Sequence, residues 1–142
     1  MTITPDIRAA REAIVREHMD SENRHDFDAT IATFAHPRYE LIATGEVHDG
    51  EDSVRAYYRT SRTTFPDQRN EVHAIHHTDD GVLVEFDLLG TQLGPLAGLA
   101  PTGREFRCRM AALFLFDGDL ICNERVYFDS ATILRQLGLL GG

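Results

Sequence analysis

The chain has 142 residues, a formal net charge of −9 with histidines neutral, and 42% hydrophobic against 26% charged residues. That length suits a single domain spanning 1–142 with its own core, and the composition excludes wholesale disorder. The acidic balance argues against nucleic acid or an anionic membrane as partner, and no apolar run approaches the ~20 residues of a membrane span.

Met1-Thr-Ile-Thr-Pro-Asp6 lacks the basic and apolar regions of a secretory signal. Thr4-Pro5-Asp6 instead starts a helix, with a capping oxygen, a proline at the first helical position and an acid at the positive dipole end. Ile7, Ala10, Ile14, Val15, His18 and Met19 recur at helical spacing to about residue 20. After the polar break Asp20–His25, Phe27, Ile31 and Phe34 predict a second short helix over Asp26–Phe34. His36-Pro37 ends it.

Tyr39–Thr44 reads as a strand, with Glu46–His48 as its partner across Gly45. Gly50–Ser53 opens a third helix that buries Val54, Tyr57, Tyr58 and Ser61 and stops before Phe65-Pro66. From there the period changes to two. Glu71–His77 and Val82–Leu89 form strands around the turn signal Asp79-Asp80-Gly81. A loop rich in Gly and Pro covers Gly90–Gly103. Phe106–Phe116 and Leu120–Phe128 are the last two strands, joined at Asp117-Gly118. Cys108 and Cys122 lie in these apolar runs and read as buried free thiols, which fits a cytoplasmic protein. Helices first and a strand meander after give an α+β domain with an antiparallel sheet.

Phe65-Pro-Asp67, Gly90-Thr-Gln-Leu-Gly-Pro95, Pro101-Thr-Gly-Arg104 and the run from Glu124-Arg-Val-Tyr-Phe-Asp129 through Gln136-Leu-Gly138 resemble the SnoaL-like polyketide cyclase family, within the nuclear-transport-factor-2-like superfamily. The resemblance covers nearly the whole chain. It implies a cone: a curved mixed or antiparallel β-sheet wrapped over three N-terminal helices, enclosing an apolar pocket, commonly as a homodimer. It also implies cofactor-independent cyclase or isomerase chemistry on a hydrophobic, carbonyl-bearing small molecule, with an acidic side chain as base. Asp129 matches the family's acid near the end of the last strand. Family members often carry His where this chain has Gln92, and many carry a Trp that this chain lacks. The same superfamily holds epoxide hydrolases and non-catalytic binding or dimerisation domains, so the fold alone leaves those alternatives open.

Removing a proton beside a carbonyl calls for a carboxylate of raised pKa and a donor for the enolate oxygen. Asp129 is the first candidate base, and it also suits an N-cap for Ser130–Leu134. Asp87 and Glu85 share the polar face of their strand. Facing inward, Asp87 is a second catalytic candidate; facing outward, both are solvated. Arg109 can pair with Glu124 or with Asp87 across neighbouring strands, or orient a substrate. Tyr58, Tyr127, Glu124, Gln92 and His73 complete the candidate binding set. Tyr39 offers another hydroxyl, His76 like His73 suits the pocket wall or the sheet surface, and His48 lies in the early hairpin. Seven histidines without helical His-x-x-x-His spacing, and two cysteines without zinc spacing, predict no metal. No nucleophile elbow or phosphate-binding glycine spacing occurs. Leu93, Leu96 and Leu99 suit a flap over the pocket mouth or a dimer contact.

Overall fold

The computed structural model describes residues 3–140. Three helices, α1 (Pro5–Asn23), α2 (Phe27–Ala32) and α3 (Glu51–Thr64), are interrupted by a hairpin of β1 (Arg38–Leu41) and β2 (Glu46–Asp49). Then come β3 (Arg69–His77), β4 (Gly81–Thr91), β5 (Glu105–Asp117), β6 (Leu120–Tyr127) and a fourth helix, α4 (Ser130–Gln136). The six strands form one sheet in the order β2-β1-β6-β5-β4-β3. All neighbours run antiparallel except β1 and β6, which are parallel. This is the mixed α+β arrangement expected from the order of the elements.

The helix ends follow local chemistry. The Thr4 hydroxyl accepts from the Ile7 amide at 3.2 Å, with Pro5 and Asp6 in the first turn. The Asp26 carboxylate caps α2 through the Ala29 amide at 3.2 Å. One difference matters for function: α1 runs to Asn23, past the polar break. Tertiary hydrogen bonds stabilise that extra turn. Ser21 is fully buried, and its hydroxyl meets the Thr30 hydroxyl at 2.6 Å. The side chain of Asn23 donates to the Asn70 carbonyl at 3.0 Å and accepts from the Asn70 amide at 2.7 Å. β1 is also shorter than expected, because the chain turns after Leu41.

Strand alternation sorts the side chains into two faces. Val82, Val84 and Phe86 of β4 pack against Ala112, Met110 and Phe114 of β5 on the inner face, where they meet Val15 and Met19 of α1 and Tyr58 of α3. Leu83, Glu85 and Asp87 point outward. A bulge between Val72 and Ala74 displaces β3 by one residue at His73.

The fourth helix is attached by a side chain that imitates a strand. β6 pairs with β5 only from Ala111 onward, which leaves the backbone at Arg107 open on that side. The Gln136 carboxamide fills the gap: its oxygen accepts from the Arg107 amide at 2.7 Å, and its nitrogen donates to the Arg107 carbonyl at 2.9 Å. This docks α4 beside the inner face of the sheet.

Gly81 starts β4 where a Cβ would strike the carbonyl oxygen of Phe114 on β5. Gly81→Ala is therefore expected to lower stability by about 1–3 kcal/mol through overpacking. Urea denaturation would report this as a lower midpoint with an unchanged slope.

Candidate active site

The inner ends of α1, β1, α3 and β6 converge on His18, which has no solvent exposure. The longer α1 places Glu22 one turn beyond His18 on the same face. Alternation in β6 turns Glu124 and Val126 inward, while Asn123 and Arg125 point out to Glu40 at 2.7 and 3.3 Å. Phe34 and Phe114 meet the His18 ring edge-on, with centroids 5.3 and 5.0 Å away.

The hydrogen-bond chain fixes the orientation of the imidazole. The Thr33 hydroxyl gives its proton to the Thr30 carbonyl at 2.6 Å, so it accepts from His18 Nδ1 at 2.9 Å. His18 Nε2 faces Glu124 Oε1 at 2.9 Å, Glu22 Oε1 at 3.1 Å and the Tyr39 hydroxyl at 3.0 Å. Tyr39 continues to the Tyr58 hydroxyl at 2.9 Å. Arg62 approaches Glu22 Oε2 at 3.5 Å, and its guanidinium lies over the Phe27 ring at 5.0 Å.

Burial by itself opposes a charged His18, but the attraction of Glu124 and then Glu22 pushes its pKa up to about 10. Burial also pushes Glu124 up, against the pull of His18. Burial acts in the same sense on Glu22, yet His18 and Arg62 outweigh it and hold Glu22 low. The two carboxylates therefore differ. Glu22 is a fixed anion bridging two cations, and Glu124 is a carboxyl of raised pKa. Glu124 is 3% exposed, and its Oε1 has no hydrogen bond of good geometry among the described residues. His18, Glu22 and Glu124 also have metal-ligand chemistry, with donor atoms within 4.8 Å of one another. The Tyr39 hydroxyl, however, lies in the direction of the Nε2 bond, and an ion there would have to displace it.

This cluster forms the polar end of a cavity of about 700 Å³. Glu22, Tyr39, Arg62 and Glu124 line that end. The remaining walls include Leu41, Phe86, Phe106 and Met110, with Val126 below and Ile133 and Leu134 of α4 beside them. Pro95, Leu96 and Ala97 line the cavity from the β4–β5 loop. The arrangement can hold a bulky molecule with one reactive end against a carboxyl of raised pKa.

The model of the SnoaL-like polyketide cyclase family matches residues 12–137. The chain belongs to that family. This SnoaL-like protein is 30% identical over 129 residues to the aklanonic acid methyl ester cyclase AcmA of Streptomyces galilaeus, covering 89% of each chain. Its fold matches that of a putative SnoaL-like polyketide cyclase from Jannaschia sp. CCS1, with a TM-score of 0.85, 19% identity and 99% of each chain covered. It also matches IdmH, a putative polyketide cyclase from Streptomyces antibioticus, with a TM-score of 0.77, 23% identity, and 90% of this chain and 98% of that one covered.

Of the residues singled out from the sequence, Glu124, Tyr58 and Tyr39 lie in the cluster, and His48 lines the cavity. The others lie elsewhere in the SnoaL-like fold, for local reasons. Asp129 is exposed and caps α4, accepting from the Ala131 amide at 3.1 Å and the Thr132 hydroxyl at 3.0 Å. Asp87 faces outward and is held by Arg109 at 2.7 Å, Arg107 at 2.8 Å and His73 at 3.0 Å. Those partners, Arg109 first, keep its carboxyl well below the usual range. Arg109 pairs with Asp87 because the two are direct cross-strand neighbours on the outer face, whereas Glu124 points inward. Tyr127 is 43% exposed on the outer face. Gln92 is fully buried and braces the β4–β5 loop, accepting from the Thr102 amide and hydroxyl at 3.2 and 3.0 Å.

Three residues escaped the sequence reading: His18, which looked like part of an apolar helix face, Glu22, which sat in the polar break, and Arg62. The available signal was the four-residue spacing from His18 to Glu22, visible only if the helix is carried through Asp20–Asn23.

His18 is expected to stay protonated at about pH 8 in imidazole-resolved NMR. A raised folded pKa means its stabilisation is complete below the unfolded value of about 6.5 and is lost as pH rises through about 10. Unfolding free energy should therefore decline over that window, and a neutral His18 ring at about pH 8 would refute the ion-paired cluster.

Proposed function

We propose that this SnoaL-like protein is a cofactor-independent acid–base enzyme, a cyclase or isomerase acting on a hydrophobic, carbonyl-bearing small molecule. The observation that carries the reading is Glu124: a buried carboxyl of raised pKa, with an oxygen lacking a well-aligned partner, at the polar end of the cavity. Ionised, Glu124 takes a proton from the carbon beside a substrate carbonyl. The resulting enolate carbon attacks a second carbonyl of the same molecule, and the new alkoxide recovers the proton from Glu124. Reprotonation of the enolate at another carbon gives the isomerase outcome. His18, held by Thr33 and flanked by Glu22, supplies the positive charge that keeps the ionised form of Glu124 accessible. The 30% identity to AcmA supports a ring-closing reaction, and aklanonic acid methyl ester is the natural first compound to test.

The outer sheet face is the proposed homodimer contact. There the exposed Tyr127 and the half-buried Leu113 and Leu115 lie near the network of Asp87, Arg107 and Arg109. A dimer mass at micromolar concentration is expected, and a monomer would refute this contact. Among the described residues, no helix is long and apolar enough to cross a membrane.

Incubation with aklanonic acid methyl ester in deuterated buffer should wash deuterium into the position next to a carbonyl. Glu124→Gln should slow that exchange by about 10²–10⁴-fold, the usual contribution of a positioned acid–base group. Asp129→Asn should leave it unchanged apart from a small loss of helix capping. Unimpaired exchange in Glu124→Gln would remove Glu124 as the base. A retained ligand that never exchanges would favour a binding domain on the same fold.

A further inference from the structure

Two tyrosines line the cavity, Tyr39 and Tyr57, and they differ in what their hydroxyls meet. The Tyr39 and Tyr58 hydroxyls are used on each other, at 2.9 Å, and Tyr39 also meets His18. Arg62 is shared between Glu22 and the Ser61 hydroxyl at 2.8 Å. Tyr57, the neighbour of Tyr58 on α3, lines the cavity, and among the described residues its hydroxyl makes no hydrogen bond. That hydroxyl is not fully enclosed, so it remains open to an incoming group. A half-buried phenol ordinarily finds a partner. A phenol left open in the cavity that Glu124 also lines has the properties of a substrate donor.

The ring of Tyr57 is held in place. It lies 4.8 Å from the His48 ring on β2 and 5.6 Å from the Tyr39 ring on β1, so it stands one ring away from the His18 cluster. Burial is the main reason that its pKa is raised well above the ordinary phenol value; Arg62 acts the other way, and Glu22 and Glu124 reinforce the rise. Tyr57 therefore remains a neutral phenol across the working range and offers a proton without giving it up.

We infer that Tyr57 is the hydrogen-bond donor to the substrate oxygen that gains negative charge when Glu124 removes the neighbouring proton. This inference rests on the acid–base reading above. It narrows the substrate to one whose acidic carbon adjoins a ketone or ester carbonyl directed toward β2 and α3, with its apolar rings toward α4.

The test compares two probes of one shape. 2-Naphthol carries an oxygen that, ionised, imitates an enolate, and naphthalene lacks it. The wild-type protein should bind both, and fluorescence titration should show 2-naphthol held more tightly. Tyr57→Phe keeps the ring packing against His48 and should weaken 2-naphthol about twofold to tenfold, the usual effect of losing one hydrogen bond between neutral groups, while naphthalene is unaffected. Equal 2-naphthol affinity in Tyr57→Phe and wild type would overturn the inference. Loss of both probes in Tyr57→Phe would also overturn it, by showing a packing role. Wild-type protein that binds neither probe would refute the cavity reading beneath it. Deuterium exchange that depends on Glu124 but not on Tyr57 would leave the acid–base function standing and remove only the donor.

Discussion

A single imidazole shared by a buried and a half-buried carboxylate is the constraint around which the interior of this protein is arranged. His18 cannot reach solvent, so its charge must be matched inside the fold, and Glu22 and Glu124 supply that match from different elements. Glu22 requires α1 to run a full turn past its apolar stripe. Glu124 requires β6 to enter the sheet in a register that turns it inward opposite Phe114. Thr33 must approach from just past α2 to hold Nδ1. Helix length, strand register and the connection after α2 are thus tied to one proton-bearing ring.

The two carboxylates show how surroundings divide labour between identical groups. Glu22 has Arg62 as a second cation and is held ionised, while Glu124 has none and is raised by burial. The outer face repeats the contrast in another form. Asp87 is nearly as buried as Glu124, yet two arginines and a histidine surround it and keep it charged, so it is a structural anion and not a base. Burial alone does not mark a reactive carboxyl; burial without enough compensating charge does.

The cavity takes its shape from elements that leave the sheet early. β6 ends at Tyr127, and the freed edge of β5 is occupied by the Gln136 side chain, which holds α4 as a wall. The β4–β5 loop forms another wall, and fully buried Gln92 anchors it. A residue that looked like a departure within a substrate-contacting loop is part of that loop's internal scaffold. Asp129 likewise belongs to the start of α4, so it shapes the cavity without facing it.

Period and punctuation along the chain determined the element order, the α+β class and the two alternating faces of β4, because these depend on local propensity and strand alternation. The motifs around Phe65, Gly90 and Glu124 carried the family. What the sequence by itself could not decide was which polar residues meet. His18 and Glu22 are close to each other in sequence but more than a hundred residues from Glu124, and the length of α1 depended on hydrogen bonds from Ser21 and Asn23 to distant partners. Strand parity left Asp87 on one face without saying whether that face was the inner one. Only the assembled sheet, with α1 and α3 packed against one side, decided that Glu124 lies in the cavity while Asp87, Arg109 and Tyr127 lie outside it.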